Sequence, residues 1–133
     1  MLATCMLMNW PIADYINPNH PLQQAIKEVC TILYEYPAQN MVTALDGCSA
    51  PIFSVPVINQ AIAYKNLVSN IHLPLHIQQA CKIIVDAVSK FPFMVAGSKR
   101  YCTDMMQITA PQIIGKTGAE GVFCMTFTEQ KLG

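Results

Sequence analysis

The scarcity of charge constrains this chain more than any other feature. Of 133 residues, eight are Lys or Arg and eight are Asp or Glu, so 12% are charged while 53% are hydrophobic. Ordinary soluble domains carry roughly a quarter of their residues charged. A chain of this length has room for one domain, residues 1–133, with a modest core and a large surface to cover. With so few charges available, part of that surface is expected to face protein, in a homo-oligomer or as a piece of something larger. A formal net charge of zero pushes the same way, because it favours association.

The same numbers exclude several classes. A neutral chain without a basic run lacks the phosphate-neutralising charge that nucleic-acid binding rests on. Many apolar groups and few charges are the reverse of a disordered composition. No apolar run reaches the ~18 residues of a membrane-spanning helix, and residues 1–10 carry no basic n-region of a secretory signal. Six cysteines, at 5, 30, 48, 81, 102 and 124, include no CxxC pair. A disulfide framework is therefore not expected, and a reducing cytoplasm is.

Periodicity and punctuation predict an α+β unit. Residues 1–9 read as the end of an apolar helix without an N-cap, closed by Trp10-Pro11. Pro21 suits the first turn of a helix to about residue 34, with Leu22, Ala25, Ile26, Val29, Cys30 and Leu33 on one face. Short strands are expected over 41–46 and 51–55. Helices follow over 56–69 (Val57, Ala61, Tyr64 and Val68 in register) and over 75–90, with Ile77, Cys81, Ile84, Val85 and Val88 inward. Phe91-Pro92 stops the latter. A shorter helix is expected over 98–108. Residues 112–127 are strand-like, broken by Gly115, Gly118 and Gly121. The run from Val122 to Phe127 is apolar on both faces, as in a buried strand, and nothing after it supplies a hairpin partner.

Three clusters could carry chemistry. Asp46-Gly47-Cys48-Ser49-Ala50-Pro51 puts a carboxylate and a thiol at a strand-end turn, where sites are commonly built; an Asp supporting its own turn explains the same residues. A nucleophilic Cys48 or Cys102 would make a cysteine hydrolase, which requires a nearby base, usually His. His20, His72 and His76 have no motif around them, Pro74 spoils the His72/His76 spacing, and surface positions are expected. The second cluster runs Gly97-Ser98-Lys99-Arg100-Tyr101-Cys102-Thr103-Asp104, basic groups at a helix start that suit an anion or a solvated first turn. The third, Gly115-Lys116-Thr117-Gly118-Ala119-Glu120-Gly121, lets backbone approach a ligand or serves as a hairpin turn. It is not a P-loop. It does hold Lys-Thr-Gly before a strand, the third element of the serine β-lactamase set. The partner motif is absent: Ser49, Ser54, Ser69, Ser89 and Ser98 are followed three residues on by Ile52, Val57, His72, Pro92 and Tyr101, never by Lys.

Taken in order, Leu45-Asp46-Gly47-Cys48-Ser49-Ala50-Pro51, Met94-Val95-Ala96-Gly97, Cys102-Thr103-Asp104 and Gly115-Lys116-Thr117-Gly118-Ala119-Glu120-Gly121-Val122 resemble the Rhizobium-type, thermolabile asparaginase II family of L-asparaginases. Met1-Leu2-Ala3-Thr4-Cys5, Trp10-Pro11 and His20-Pro21 match as well. The resemblance implies a serine β-lactamase/glutaminase-like fold, here partial, with helices packed on an incomplete antiparallel sheet. It implies hydrolysis of asparagine to aspartate and ammonia. Residue by residue, it assigns Lys116 to the lysine paired with a catalytic serine and Asp46 to a substrate-site carboxylate. Cys48 matches a zinc ligand, Cys102 a cysteine beside the site, and Gly118 and Glu120 the same substrate loop. The family's Ser-x-x-Lys and its Cys-Ser-Gly-Lys-His zinc segment belong upstream of Met1. A C-terminal-half fragment is therefore expected, inactive and without zinc by itself. The alternative is a non-catalytic structural remnant that self-associates.

Overall fold

The computed structural model describes residues 1–133. It is α+β, and the chain falls into two compact units, Met1–Asn59 and Gln60–Gly133. In the first unit, helix α1 (Leu2–Leu7) buries only Cys5. Its remaining side chains, Leu2, Met6 and Leu7 among them, face solvent. Helix α2 (Pro21–Tyr34) begins as the sequence indicates, with Pro21 where a missing N–H is harmless. Between the two helices lies an apolar groove of about 430 Å³, lined by Met1, Met8, Trp10, Leu22, Ile26 and Cys30 among others.

The start of α2 corrects two expectations. His20 is not a surface histidine: it is 8% exposed, its Nδ1 accepts the Leu22 N–H at 3.1 Å, and its Nε2 donates to the Pro11 carbonyl at 2.9 Å. The ring thus does the N-capping work usually left to Ser, Thr, Asp or Asn. His72 and His76 are exposed, as expected. On α2 the most buried side chain is Gln23, 1% exposed, whereas Val29 is 40% exposed. The Gln23 Nε2 donates to the Tyr15 carbonyl at 2.7 Å, while its Oε1 is buried without a partner. The chain then forms an antiparallel hairpin, β1 (Val42–Leu45) with β2 (Pro51–Ser54), in the register Val42↔Ser54 to Leu45↔Pro51. All four β1 residues are exposed.

The second unit opens with α3 (Val57–Val68), whose first residues close the first unit, and continues with α4 (Leu75–Lys90), which buries Ile77 and Cys81. Ile84, read as inward, is 49% exposed. Phe91-Pro92 ends α4 as expected, but Pro92 also starts a further short helix, α5 (Pro92–Ala96), where a proline again occupies the first turn. Helix α6 (Tyr101–Thr109) follows. Strands β3 (Ile113–Thr117) and β4 (Phe123–Phe127) pair antiparallel, from Ile113↔Phe127 to Thr117↔Phe123. The final strand therefore has a partner, and that partner precedes it. The glycines read as interruptions belong to the hairpin itself. The strands form two separate two-stranded sheets rather than one incomplete sheet.

The core of this unit is built by α6 and the β3–β4 hairpin. Cys102, Met106 and Ile114 are at most 3% exposed, and Val85, Val88, Val95, Ala96, Met105 and Phe123 pack around them. The Phe123 ring meets the Tyr101 ring edge-on, with centroids 5.3 Å apart. No helix is long and apolar enough to cross a membrane.

Candidate functional site

The residues singled out in the sequence occupy two hairpins. In the first unit, Asp46 follows β1 directly. Its main chain closes the turn, its N–H donating to the Ala50 carbonyl at 2.9 Å and its carbonyl accepting the Ser49 N–H at 2.8 Å. Its side chain closes the turn a second time, Oδ1 accepting the Gly47 N–H at 2.8 Å. A short acidic side chain bonding its own following backbone is the expected behaviour of Asp in a turn. The other carboxylate oxygen, Oδ2, accepts from the Cys48 thiol at 3.6 Å. Asp46 and Cys48 are both exposed. A thiol and a carboxylate side by side suit a soft divalent metal, zinc above all. They supply two donors, however, and no group of three or more His, Cys, Asp and Glu side chains stands close enough to hold a metal ion. These residues by themselves do not fit a four-ligand zinc site.

In the second unit, Lys116 and Thr117 end β3. Lys116 is exposed, and its Nζ donates to the Thr117 carbonyl at 2.8 Å. Beyond them the chain reverses tightly. Gly118 N–H donates to the Val122 carbonyl at 2.7 Å, and Val122 N–H to the Ala119 carbonyl at 3.1 Å. Glu120 (φ 56°) and Gly121 (φ 78°) both lie in the left-handed region, the φ signature of a type I′ turn, whose twist matches that of the flanking strands. Gly121 takes that conformation freely, whereas Glu120 holds it against its own Cβ. Gly115 is required for a different reason. A Cβ there would stand 2.8 Å from the Phe123 ring and 3.1 Å from the Cys124 carbonyl.

Cys102 sits in the first turn of α6 and is 1% exposed. Its thiol donates to Thr117 Oγ1 at 3.4 Å and accepts the Thr117 N–H at 3.1 Å. Burial disfavours ionisation of this thiol. The Thr117 hydroxyl and N–H, the Lys116 ammonium and the local backbone outweigh it and hold the thiol below its ordinary range. Cys30 and Cys81 go the other way, pushed up by burial. All six cysteines are free. Beside Cys102, Thr103 Oγ1 donates to the Gly97 carbonyl at 2.6 Å and ties the α5–α6 loop to α6.

The structure thus brings Lys116 and Cys102 together through Thr117, and Asp46 and Cys48 together directly. The contact of Thr117 with Cys102 is what sequence reasoning missed, since nothing in a fifteen-residue separation announces it. The model of the L-asparaginase II family matches the chain from residue 1 to residue 133. The chain belongs to the L-asparaginase II family. No curated protein matches it. As an L-asparaginase II family chain it presents its Lys-Thr-Gly on a strand, beside the start of a helix. Lys116 reaches solvent, while Cys102 does not.

Proposed function

We propose that this chain is the lysine-bearing part of an amidohydrolase that converts L-asparagine to L-aspartate and ammonia, and that it does not turn over asparagine by itself. The observation that carries the reading is the family match along all 133 residues. It is supported by the geometry of β3, which puts Lys116 at an open strand end beside the backbone N–H groups of a tight turn. In such a reaction a serine attacks the amide carbonyl, and the lysine takes the serine proton as general base. Ammonia leaves, and water then hydrolyses the acyl-serine ester to aspartate. Backbone N–H groups hold the oxyanion at each step. Within the second unit, Glu120 is a carboxylate suited to the substrate ammonium, and Gly118 lets backbone approach it. No serine here stands three residues before a lysine, so the base lacks its nucleophile. Members of such a unit act together, and a lone member contributes little.

The two units belong to one domain with the serine β-lactamase/glutaminase-like fold. With two donors at the Asp46 turn, the isolated chain holds little zinc. A homo-oligomer in the cytoplasm is the setting we propose. It is supported by the uncharged segment 1–13 and by Met6 and Leu7, 73% and 84% exposed on α1.

Ammonia release from asparagine, measured beside a Lys116→Ala control, tests the reading. Silence from the purified chain is expected. Release that disappears in the control would overturn the claim of inactivity. A titration of asparagine into isotopically labelled chain completes the test: amide shifts at Lys116, Thr117 and Gly118 are expected, and their absence at saturating asparagine would remove this hairpin as the substrate site.

A further inference from the structure

The sulfur of Cys102 is fully committed. At 1% exposure it has no open face for a substrate, and both of its polar contacts go to one residue, Thr117. The Thr117 nitrogen belongs to the same planar peptide group as the Lys116 carbonyl, so fixing that N–H fixes the plane. The orientation of that plane sets the backbone dihedral of Lys116 and, with it, the direction in which the lysine side chain leaves the strand.

The direction of this N–H matters. Gly118 N–H points across the hairpin to Val122. Alternation along a strand turns the Thr117 N–H the other way, to the outer edge of β3. An outer-edge N–H has no strand to bond, and in this chain the helix α6 supplies the acceptor. Around the contact, Met106 at 0% and Ile114 at 3% exposure make the wall against which it is held.

We propose that Cys102 is a positioning residue for Lys116: its thiol, held in the first turn of α6, clamps the Lys116–Thr117 peptide at the end of β3 and so aims the lysine side chain. The proposal rests on the reading of Lys116 as the base, and it replaces direct contact between Cys102 and substrate. The clamp needs an atom at this place that accepts the Thr117 N–H. A hydroxyl provides this with a shorter reach; a methyl group does not.

Amide hydrogen exchange on the full chain, without substrate, tests it. In Cys102→Ala the amide at position 117 is expected to exchange about ten-fold faster relative to that of Ile114 in the same strand. Cys102→Ser is expected to restore protection at position 117 to within about three-fold of the original. Thr117→Val keeps the N–H and loses the hydroxyl, so position 117 is expected to stay protected. Equal acceleration at positions 114 and 117 in Cys102→Ala would show loosening of the core rather than a clamp, and would overturn the proposal. Failure of the serine variant to restore position 117 would also overturn it. The asparagine titration is independent of this result. A protected Thr117 that ignores asparagine would remove the base assignment and leave the clamp in place.

Discussion

The two hairpins that carry the residues singled out in the sequence are held in opposite ways. At the Asp46 turn the chemistry-bearing side chain is itself the fastener. Asp46 bonds the Gly47 N–H while its other oxygen meets Cys48, and every residue of β1 is exposed. At the Lys116 hairpin the chemistry-bearing side chain fastens nothing beyond a neighbouring carbonyl. The strand beneath it is anchored in a core by Ile114, Phe123 and the Cys102–Thr117 contact. A residue that must hold its own turn is tied to one conformation. A residue whose strand is held by others keeps its side chain available for a reaction.

That contrast can be broken most severely in the core. Met106→Ala removes a fully buried side chain beneath β3 and is expected to destabilise the chain by about 2–5 kcal/mol. Leu45→Ala, at a β1 position 66% exposed, is expected to change stability by no more than about 0.5 kcal/mol. Urea unfolding of both variants measures the gap, and equal losses would sink the contrast.

A sharper comparison uses one glycine from each hairpin. Gly115→Ala places a methyl 2.8 Å from the Phe123 ring, an overpacking expected to cost about 1–3 kcal/mol. Gly47→Ala meets open space and has no left-handed φ to maintain, so it is expected to be neutral or to stabilise by up to about 1 kcal/mol. Thermal unfolding midpoints that move in the same direction by the same amount would mean the two turns are held alike.

The smallest effect concerns charge. Removing the ammonium in Lys116→Met is expected to move the Cys102 thiol back up toward its ordinary value, read as an upward shift in the pH midpoint of the Cys102 Cβ resonance. The sign for stability follows. A thiol whose folded-state value is depressed binds fewer protons when folded than when unfolded. Its contribution is therefore complete above the ordinary thiol range of about 8.5 and is lost as pH falls through the folded-state value. Stability should rise with pH over that interval in the native chain, and less steeply in Lys116→Met.

Local chemistry was legible in the sequence. Pro21 marks a helix start, Gly47 marks a turn, and the helix over 75–90 is found at Leu75–Lys90. Pairing was less so. An apolar run from Val122 to Phe127 looks like a buried strand whatever its partner is. Gly115 reads as a break until the Phe123 ring is seen lying over it. Burial of Gln23 in preference to Val29 depends on the Tyr15 carbonyl, which no helical period contains. Of the candidate clusters, the reading of Asp46 as support for its own turn is met by its bond to the Gly47 N–H. The contact of Thr117 with Cys102 was not legible, because it arises from a helix and a strand meeting fifteen residues apart.

His20 shows how such a position can mislead. With Nδ1 accepting from Leu22 and Nε2 donating to Pro11, the ring is confined to one tautomer and works as a strut between two backbone segments. A serine or asparagine could accept from the helix end but could not also span to the far carbonyl. A saturation screen would score this site as intolerant, in a hydrolase family where an intolerant histidine invites a proton-transfer role. The intolerance would report a spacer of fixed length, and the screen's abundance readout, not its activity readout, would be where the loss first registers.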